Sequence, residues 1–278
     1  MNSDLPRPRL ATCDQPLTVQ KMPLFVTSLN SGSNANCYYV GNDTEAILVD
    51  AGLSCRETER RMKRLGLDMA RVKAVFISHE HTDHIKGLPV LVRKHHLPIY
   101  MSPGTYRRTG HGLAGIAVRP FAAHEPVAVG GLSVTAFPKP HDAADPHSFV
   151  VAGGGVTVGV FTDIGAPCEY LEQYFAKCQA AFLEANFDDD MLERGSYPYY
   201  LKRRIRGGHG HLSNARALDF FNTHRPTGFS HLFLSHLSKN NNCPVLVKNL
   251  FESHANGTEI VIASRYEETA VYCIGQGA

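Results

Sequence analysis

A chain of 278 residues that is 43% hydrophobic can bury a sizeable core, which excludes a disordered polymer and a small cross-linked scaffold. Its formal charge of +2, from 28 basic and 26 acidic residues, neither demands nor excludes a polyanionic partner, so nucleic-acid binding would need a local patch. Seven cysteines, an odd number with no CxxC pair, indicate reduced, mostly buried thiols rather than a disulfide framework. No apolar run approaches the roughly 20 residues that cross a bilayer.

Residues 1–22 contain three prolines, little periodicity and no apolar signal region, and predict a flexible N-terminal extension on a cytoplasmic protein with no membrane contact. Then "LFVTSL" (24–29), "NCYYVG" (36–41) and "EAILVD" (45–50) read as short strands separated by Asn/Gly/Ser turns. "CRETERRMKRLGL" (55–67) has a charged helical pattern, and "RVKAVFIS" (71–78) reads as a buried strand. Residues 85–96 predict a helix with cations in its last turn. From 117 to 162 the chain is mainly β. Beyond that, helices near 167–178, 188–206, 213–224 and 244–254 frame strands at "AAFLEAN", "HLFLSH", "EIVIA" and "AVYCIG". This order fits an α/β fold of two mixed sheets with helices on their outer faces, a four-layer αββα sandwich, better than one parallel sheet.

The chemistry concentrates in "HEHTDH", where His79, His81, Asp83 and His84 follow an apolar strand. Side chains alternate along extended backbone, so an H-x-H pair points both imidazoles to one side. Asp83 and His84 fall where the chain turns into a helix and can face a second point nearby. Imidazole with carboxylate suits Zn²⁺, Mn²⁺ or Fe²⁺, whereas an all-oxygen cage would suit Ca²⁺ or Mg²⁺. Asp50, His141, Asp163 and His236 each stand just past an apolar strand, and strand ends at one rim of a layered α/β fold converge on a common cleft.

A second concentration is "YLKRRIRGGHGHLSN" (200–214). Lys202, Arg203, Arg204 and Arg206 could neutralise successive phosphates, although most charge runs are solvated helical faces. Ser213 suits the N-cap of the following helix, whose first amides, with Asn214, could take a phosphate.

The order H-x-H-x-D-H, then His, Asp and His after strands, resembles the metallo-β-lactamase fold superfamily. "LNSGSNANCYYVG", "ILVDAGLS", "PKPHDAADPHSF", "EANFDDDML", "GHLSN" and "LSHLSKNNN" narrow the resemblance to the YycJ-like (WalJ) bacterial nucleases, over roughly residues 24–273. It implies a hydrolase domain over 23–278 holding two divalent metal ions, Zn²⁺ or Mn²⁺. His79, His81 and His141 would hold the first and Asp83, His84 and His236 the second, with Asp163 between them and Asp50 orienting a ligand imidazole. The implied catalytic residues are Asp83, His211 as proton donor and Glu184 orienting His211. The implied substrate-binding residues are Lys202, Arg203, Arg204, Ser213 and Asn214. The activity so implied is a phosphodiesterase using a metal-bridging hydroxide, a 5′-3′ exonuclease on DNA more than RNA. The alternative is a metallo-hydrolase of a small phosphodiester, thioester or lactone. Two positions depart from the group's pattern: Ala35 where a glycine is usual, and His147 where an apolar residue is usual.

Overall fold

The computed structural model describes residues 22–109 and 112–275. The expected N-terminal extension lies outside them apart from Met22, whose amide donates to Gly154 O at 3.1 Å. The first half opens with the antiparallel strands β1 (Leu24–Asn30), β2 (Cys37–Gly41) and β3 (Ala46–Val49), then helix α1 (Cys55–Arg64) and strand β4 (Val72–Phe76). Helices α2 (Thr82–Ile85) and α3 (Leu88–His95), strand β5 (Ile99–Met101), helix α4 (Pro103–Thr109) and strand β6 (Val118–Pro120) complete it. Strands β7 (Pro126–Val129), β8 (Leu132–Pro138), β9 (His147–Gly153) and β10 (Val156–Phe161) form an antiparallel meander. Then α5 (Glu169–Phe175), β11 (Ala180–Glu184), α6 (Asp189–Arg194), α7 (Tyr199–Arg206), α8 (Asn214–His224), β12 (His231–Ser235), α9 (Pro244–Glu252), β13 (Glu259–Ile262) and β14 (Tyr272–Ile274) follow.

The strands make two seven-stranded sheets, ordered β14-β1-β2-β3-β4-β5-β6 and β13-β12-β11-β10-β9-β8-β7. The last strand, β14, crosses back to pair with β1, so the chain's two ends close the same sheet. Alternation along each strand divides the apolar side chains into three cores, as a period of two requires. Between the sheets pack Val26, Tyr38, Ile47 and Phe76 from one and Val134, Phe149, Val158 and Phe182 from the other. The opposite face of the first sheet packs Leu48 and Val75 against Met62 of α1 and Leu91 of α3. The opposite face of the second packs Phe161 and Leu183 against Phe175 of α5, Phe221 of α8 and Phe251 of α9. Three cores separate four layers, the αββα sandwich that the element order predicted.

Two differences from the sequence reading have local causes. The helix expected over 188–206 is two helices, because Gly195 caps the first and Pro198 leads into the second. Proline has no amide to continue a ladder and disfavours helical backbone in the residue before it. Strand β5 and helix α4 are too short to show a period.

The "DAGLS" turn after β3 carries the first half of the site. Asp83 O accepts from Asn36 N (2.7 Å), His84 O from Ala51 N (2.7 Å) and Ala51 O from Gly87 N (2.8 Å). This backbone-to-backbone seam leaves no room for side chains: a Cβ on Gly52 would lie 1.7 Å from Asp83 O, and one on Gly87 1.6 Å from Leu53 O. Gly52→Ala is therefore expected to destabilise the fold by about 1–3 kcal/mol in urea unfolding. Gly208→Ala, where nothing lies within 4 Å of the added carbon, should stay within about 0.5 kcal/mol. Equal effects of the two would refute the close approach.

Candidate metal centre

Five imidazoles and two aspartates meet where the strands end. His79 follows β4, and His81 precedes α2, the one-turn helix that carries Asp83 and His84. His141 follows β8, Asp163 follows β10 and His236 follows β12. Asp50, Asp163 and His236 all have left-handed backbone, with φ of 62°, 54° and 56°. A strand that continued straight would carry these side chains past the rim; the reversed φ turns the chain at once and aims them inward. Such a conformation costs roughly 1–2 kcal/mol in an L-residue and persists where surrounding contacts fix it.

Four of the five rings have the outer nitrogen tied down. His84 Nδ1 donates to Asp50 Oδ2 at 2.7 Å, and His141 Nδ1 to Gly210 O at 3.1 Å. Ser78 Oγ donates to Asp50 Oδ2 and accepts from His79 Nδ1, both at 2.9 Å. His236 Nδ1 donates to Glu184 Oε1 at 2.9 Å. All four rings thus turn Nε2 toward a shared centre, the arrangement by which outer partners orient a ligand imidazole.

The inward atoms fall into two groups joined by one carboxylate. His79 Nε2 lies 3.0 Å and His141 Nε2 3.3 Å from His81 Nδ1. His84 Nε2 and His236 Nε2 lie 3.4 and 3.6 Å from Asp83 Oδ2. Asp163 reaches both groups: its Oδ1 is 3.9 Å from His141 Nε2 and 3.6 Å from His236 Nδ1, and its Oδ2 is 3.3 Å from His84 Nε2.

These donors fit divalent cations. His236 Nε2 and Asp163 Oδ2 are buried without a hydrogen-bond partner among the described residues, a state natural proteins rarely leave uncompensated. The separations of 3.0 and 3.3 Å in the first histidine group are close to the edge of a tetrahedron with roughly 2.0–2.1 Å from centre to nitrogen. Burial pushes His79 well below the ordinary histidine range and His141 down to about 4, keeping both in the neutral form that can ligate. Burial would also lower His84 and His236, but the carboxylates around them prevail, Asp50 foremost for His84 and Asp163 for His236; His236 is raised to about 10.

Glu184, at the end of β11, is fully buried beneath this arrangement. Its Oε1 accepts from both His211 Nδ1 and His236 Nδ1 at 2.9 Å, and its Oε2 from the amides of Ile164 (2.7 Å) and Leu212 (3.1 Å). Burial alone would raise its carboxyl, but His211 and His236 outweigh it and hold the pKa down to about 2. One carboxylate thus ties three loops together, those of Asp163, His211 and His236. His211 lines a cleft of about 180 Å³ beside the centre, with Ser33, Asp142, Tyr197, Arg204 and Ser238.

The expected substrate contacts need correction. Ser213 does cap α8, its Oγ accepting from Arg216 N at 3.4 Å, but it is 1% exposed and Asn214 only 2%. Asn214 and Asn242 exchange amide hydrogen bonds of 3.0 and 2.9 Å, so neither Ser213 nor Asn214 offers its polar atoms to a phosphate. The cationic run stays exposed at Arg203, Arg204 and Arg206, and part of it is paired within the protein. Arg204 pairs with Asp142 and Arg206 with Glu193, Lys202 Nζ donates to Glu193 O, and Arg203 lies over the Tyr199 ring.

The two departures from the nuclease pattern are accommodated. Ala35 needs no left-handed backbone; its amide closes a turn to Gly32 O at 2.9 Å and its carbonyl accepts from Asn30 Nδ2 at 2.6 Å. His147 is buried against Phe121 and hydrogen-bonds Asp145 O at 2.9 Å, outside the ligand groups. Four contributors escaped the sequence reading. Asn36 Nδ2 donates to Asp83 Oδ2 (3.0 Å), Ser78 links His79 to Asp50, Asn186 Nδ2 holds His236 O (2.6 Å), and the buried Lys139 donates to Thr162 O (2.6 Å). Each lies in a quoted motif, but none differs in kind from an ordinary loop residue. A separate trio, Cys55, Glu59 and His95, is already neutralised by Lys94, whose Nζ lies 2.6 Å from Glu59 Oε1.

Fold and donor set together define a metallo-β-lactamase-type metal site, and residues 45–236 match the family described as the β-lactamase superfamily domain. The chain belongs to that family and, within it, to the group of the YycJ and WalJ proteins. It is 34% identical over 230 residues to the exodeoxyribonuclease YycJ of Bacillus anthracis, covering 82% of this chain and 87% of that one. To the exodeoxyribonuclease WalJ of Streptococcus pneumoniae serotype 2 (strain D39) it is 28% identical, over 77% of this chain and 81% of that one. The metallo-β-lactamase fold protein YhfI of Bacillus subtilis superposes with a TM-score of 0.70 at 19% identity, over 91% of this chain and all of that one, which shows the shared fold.

Two outcomes are expected. Zn²⁺ or Mn²⁺ at about 100 times its Kd should stabilise the protein by roughly 2.7 kcal/mol, raising Tm by about 5–10 °C in calorimetry, with reversal by chelator. A Tm indifferent to both would contradict the fit. Glu184→Gln replaces one accepting oxygen with an NH₂ that faces donors, so metal affinity should fall about 10- to 100-fold by competitive chelator titration.

Proposed function

We propose that the chain is a dinuclear metal-dependent nuclease, a 5′-3′ exonuclease acting on DNA. The observation that carries this reading is Asp163, whose one carboxylate lies within 4 Å of histidines from both groups, beside a cleft lined by His211. Similarity to relatives named exodeoxyribonucleases, over most of their length, supports the substrate.

The residues that would hold the two ions are His79, His81 and His141 with Asp163, and Asp83, His84 and His236 with Asp163. Bound there, Zn²⁺ or Mn²⁺ would supply Lewis acidity, stabilising charge that develops on phosphoryl oxygen and lowering the pKa of a water. The protein's own groups do the remainder. Glu184 fixes the His211 ring through Nδ1, so its Nε2 is the atom that can carry a proton to the departing oxygen. Asn36 orients Asp83, and Asp50 holds the His84 ring. The Asp142–Arg204 pair walls the cleft next to His141 and brings a guanidinium to its edge.

One observation favours a second reading, hydrolysis of a small phosphodiester, thioester or lactone. Arg204 and Arg206 are ion-paired within the protein, which weakens α7 as a track for a strand. Salt dependence separates the readings. DNA bound through phosphates loses affinity steeply as salt rises, with a log–log slope of about −0.7 per contacted phosphate for single strands.

With 5′-labelled single-stranded and duplex DNA, the metal-loaded protein is expected to release 5′-terminal products. His211→Ala should lower kcat about 10²- to 10⁴-fold with metal content unchanged. Asp163→Asn should lower both metal content and rate. Product release untouched by either substitution would exclude the mechanism.

A further inference from the structure

The cleft beside His211 shares a wall with a second pocket. Ser238 lines both, and the second, of about 310 Å³, runs from Ser238 along the loop after β12 to the loop after β13. Ser238 is two residues past His236, so its Cα lies within about 7 Å of that of His236. Its floor is apolar, from Leu237, Ile262 and Ala263, and its rim carries Lys239, Arg265 and Tyr266.

Three features of that rim point to a nucleic-acid strand. Tyr266 is 70% exposed, and the guanidinium of Arg265 lies 6.0 Å from its ring centroid. An aromatic ring beside a cation is the combination on which bases stack, whatever their sequence. Lys239 and Arg265 form no ion pair among the described residues, in contrast to Arg204 and Arg206. One acid, Glu267, shares the lining, so the pocket keeps a net positive charge. The wall is also fixed relative to the metal centre. Asn34 Nδ2 donates to Arg265 O at 2.9 Å and Ser31 N to Ser264 O at 3.0 Å. Ser31 Oγ in turn accepts from His236 N at 2.8 Å, so the loop that bears Asn36 holds the pocket and the ligand turn in one register.

We propose that this pocket is a nucleotide subsite, seating one base of a single-stranded DNA end against Tyr266 with its phosphate on Lys239 and Arg265, while the bond to be cut lies beside His211. This assignment rests on the nuclease reading. It gives the strand a path along the Ser238 side of the cleft, where Lys239 and Arg265 have no ion pair among the described residues, rather than past Arg204 and Arg206 of α7, which are paired with acids.

Hydrolysis by the metal-loaded protein of bis(4-nitrophenyl) phosphate, too small to reach the pocket, is compared with that of a single-stranded decanucleotide. Tyr266→Ala is expected to raise KM for the decanucleotide roughly tenfold with kcat nearly unchanged, and to leave the small ester within twofold. Lys239→Ala should flatten the slope of log KM against log salt by about 0.7 for the decanucleotide. If both variants keep the wild-type KM and salt slope while the ester is hydrolysed normally, the subsite is wrong and the nuclease reading stands. If wild-type protein hydrolyses neither substrate, the nuclease reading falls and the subsite with it.

Discussion

The structure depends on holding lone pairs and negative charge together in a space from which water is largely excluded. Asp50, Asp163 and Glu184 are essentially buried, and Asp83 lies at the edge. Against them stands Lys139, the one buried lysine among the described residues, held below the ordinary lysine range by that burial. The outer nitrogens of His79, His84, His141 and His236 are committed to hydroxyl, carbonyl or carboxylate partners, so the inner nitrogens face one another across the centre. Leaving a buried polar atom unpaired costs free energy, and Asp163 Oδ2 and His236 Nε2 have no hydrogen-bond partner among the described residues. Divalent cations satisfy both demands at once. Metal binding at this centre would therefore be coupled to the folding of these loops.

The sandwich meets this demand through strand direction. β3 and β4 run parallel, as do β10, β11, β12 and β13, and β8 shares the direction of β10 through the antiparallel β9 between them. Asp50, His79, His141, Asp163, Glu184 and His236 all stand at or just past the ends of these strands, on one rim. Parallel neighbours need crossovers, and the helices that supply them occupy the two outer layers, which leaves the rim open to solvent. The left-handed turns at Asp50, Asp163 and His236 then convert strand ends into inward-pointing ligands. Asp and His adopt that conformation more readily than most residues, and His236 is further pinned through its amide, carbonyl and Nδ1 by Ser31, Asn186 and Glu184.

What the sequence disclosed follows from what repeats in it. The strands that carry ligands are apolar, alternating and punctuated, so their ends, and the residues just past them, could be located to within a residue or two. The left-handed turns could not, because a positive φ at Asp or His leaves no composition signal. Asn36, Ser78 and Asn186 act only through which atom they hold, and any loop contains such residues. Ser213 shows a subtler limit. Its capping role was legible, since a Ser before an apolar-periodic run satisfies a helix's first amides. Whether those amides also face a cleft depends on tertiary neighbours, and here the bridge from Phe187 and the Asn214–Asn242 pair cover that end of α8.

The cationic run in α7 illustrates how charge in a sequence differs from charge at a surface. A guanidinium beside a carboxylate contributes little field beyond the Debye length of about 8–10 Å, whatever its density along the chain. Arg204 and Arg206 are used to fix α7 against Asp142 and Glu193, which shapes the wall of the cleft rather than attracting a distant phosphate. Lys239 and Arg265 are 26 positions apart and form no run, yet folding sets them on the rim of one pocket with no acid paired to either among the described residues. A chain with a formal charge of only +2 can therefore present a positive path to a polyanion. Affinity for a strand depends on which cations remain unpaired and where the backbone places them, and here Lys239 stands three residues past His236, on the rim of the pocket it shares with Arg265.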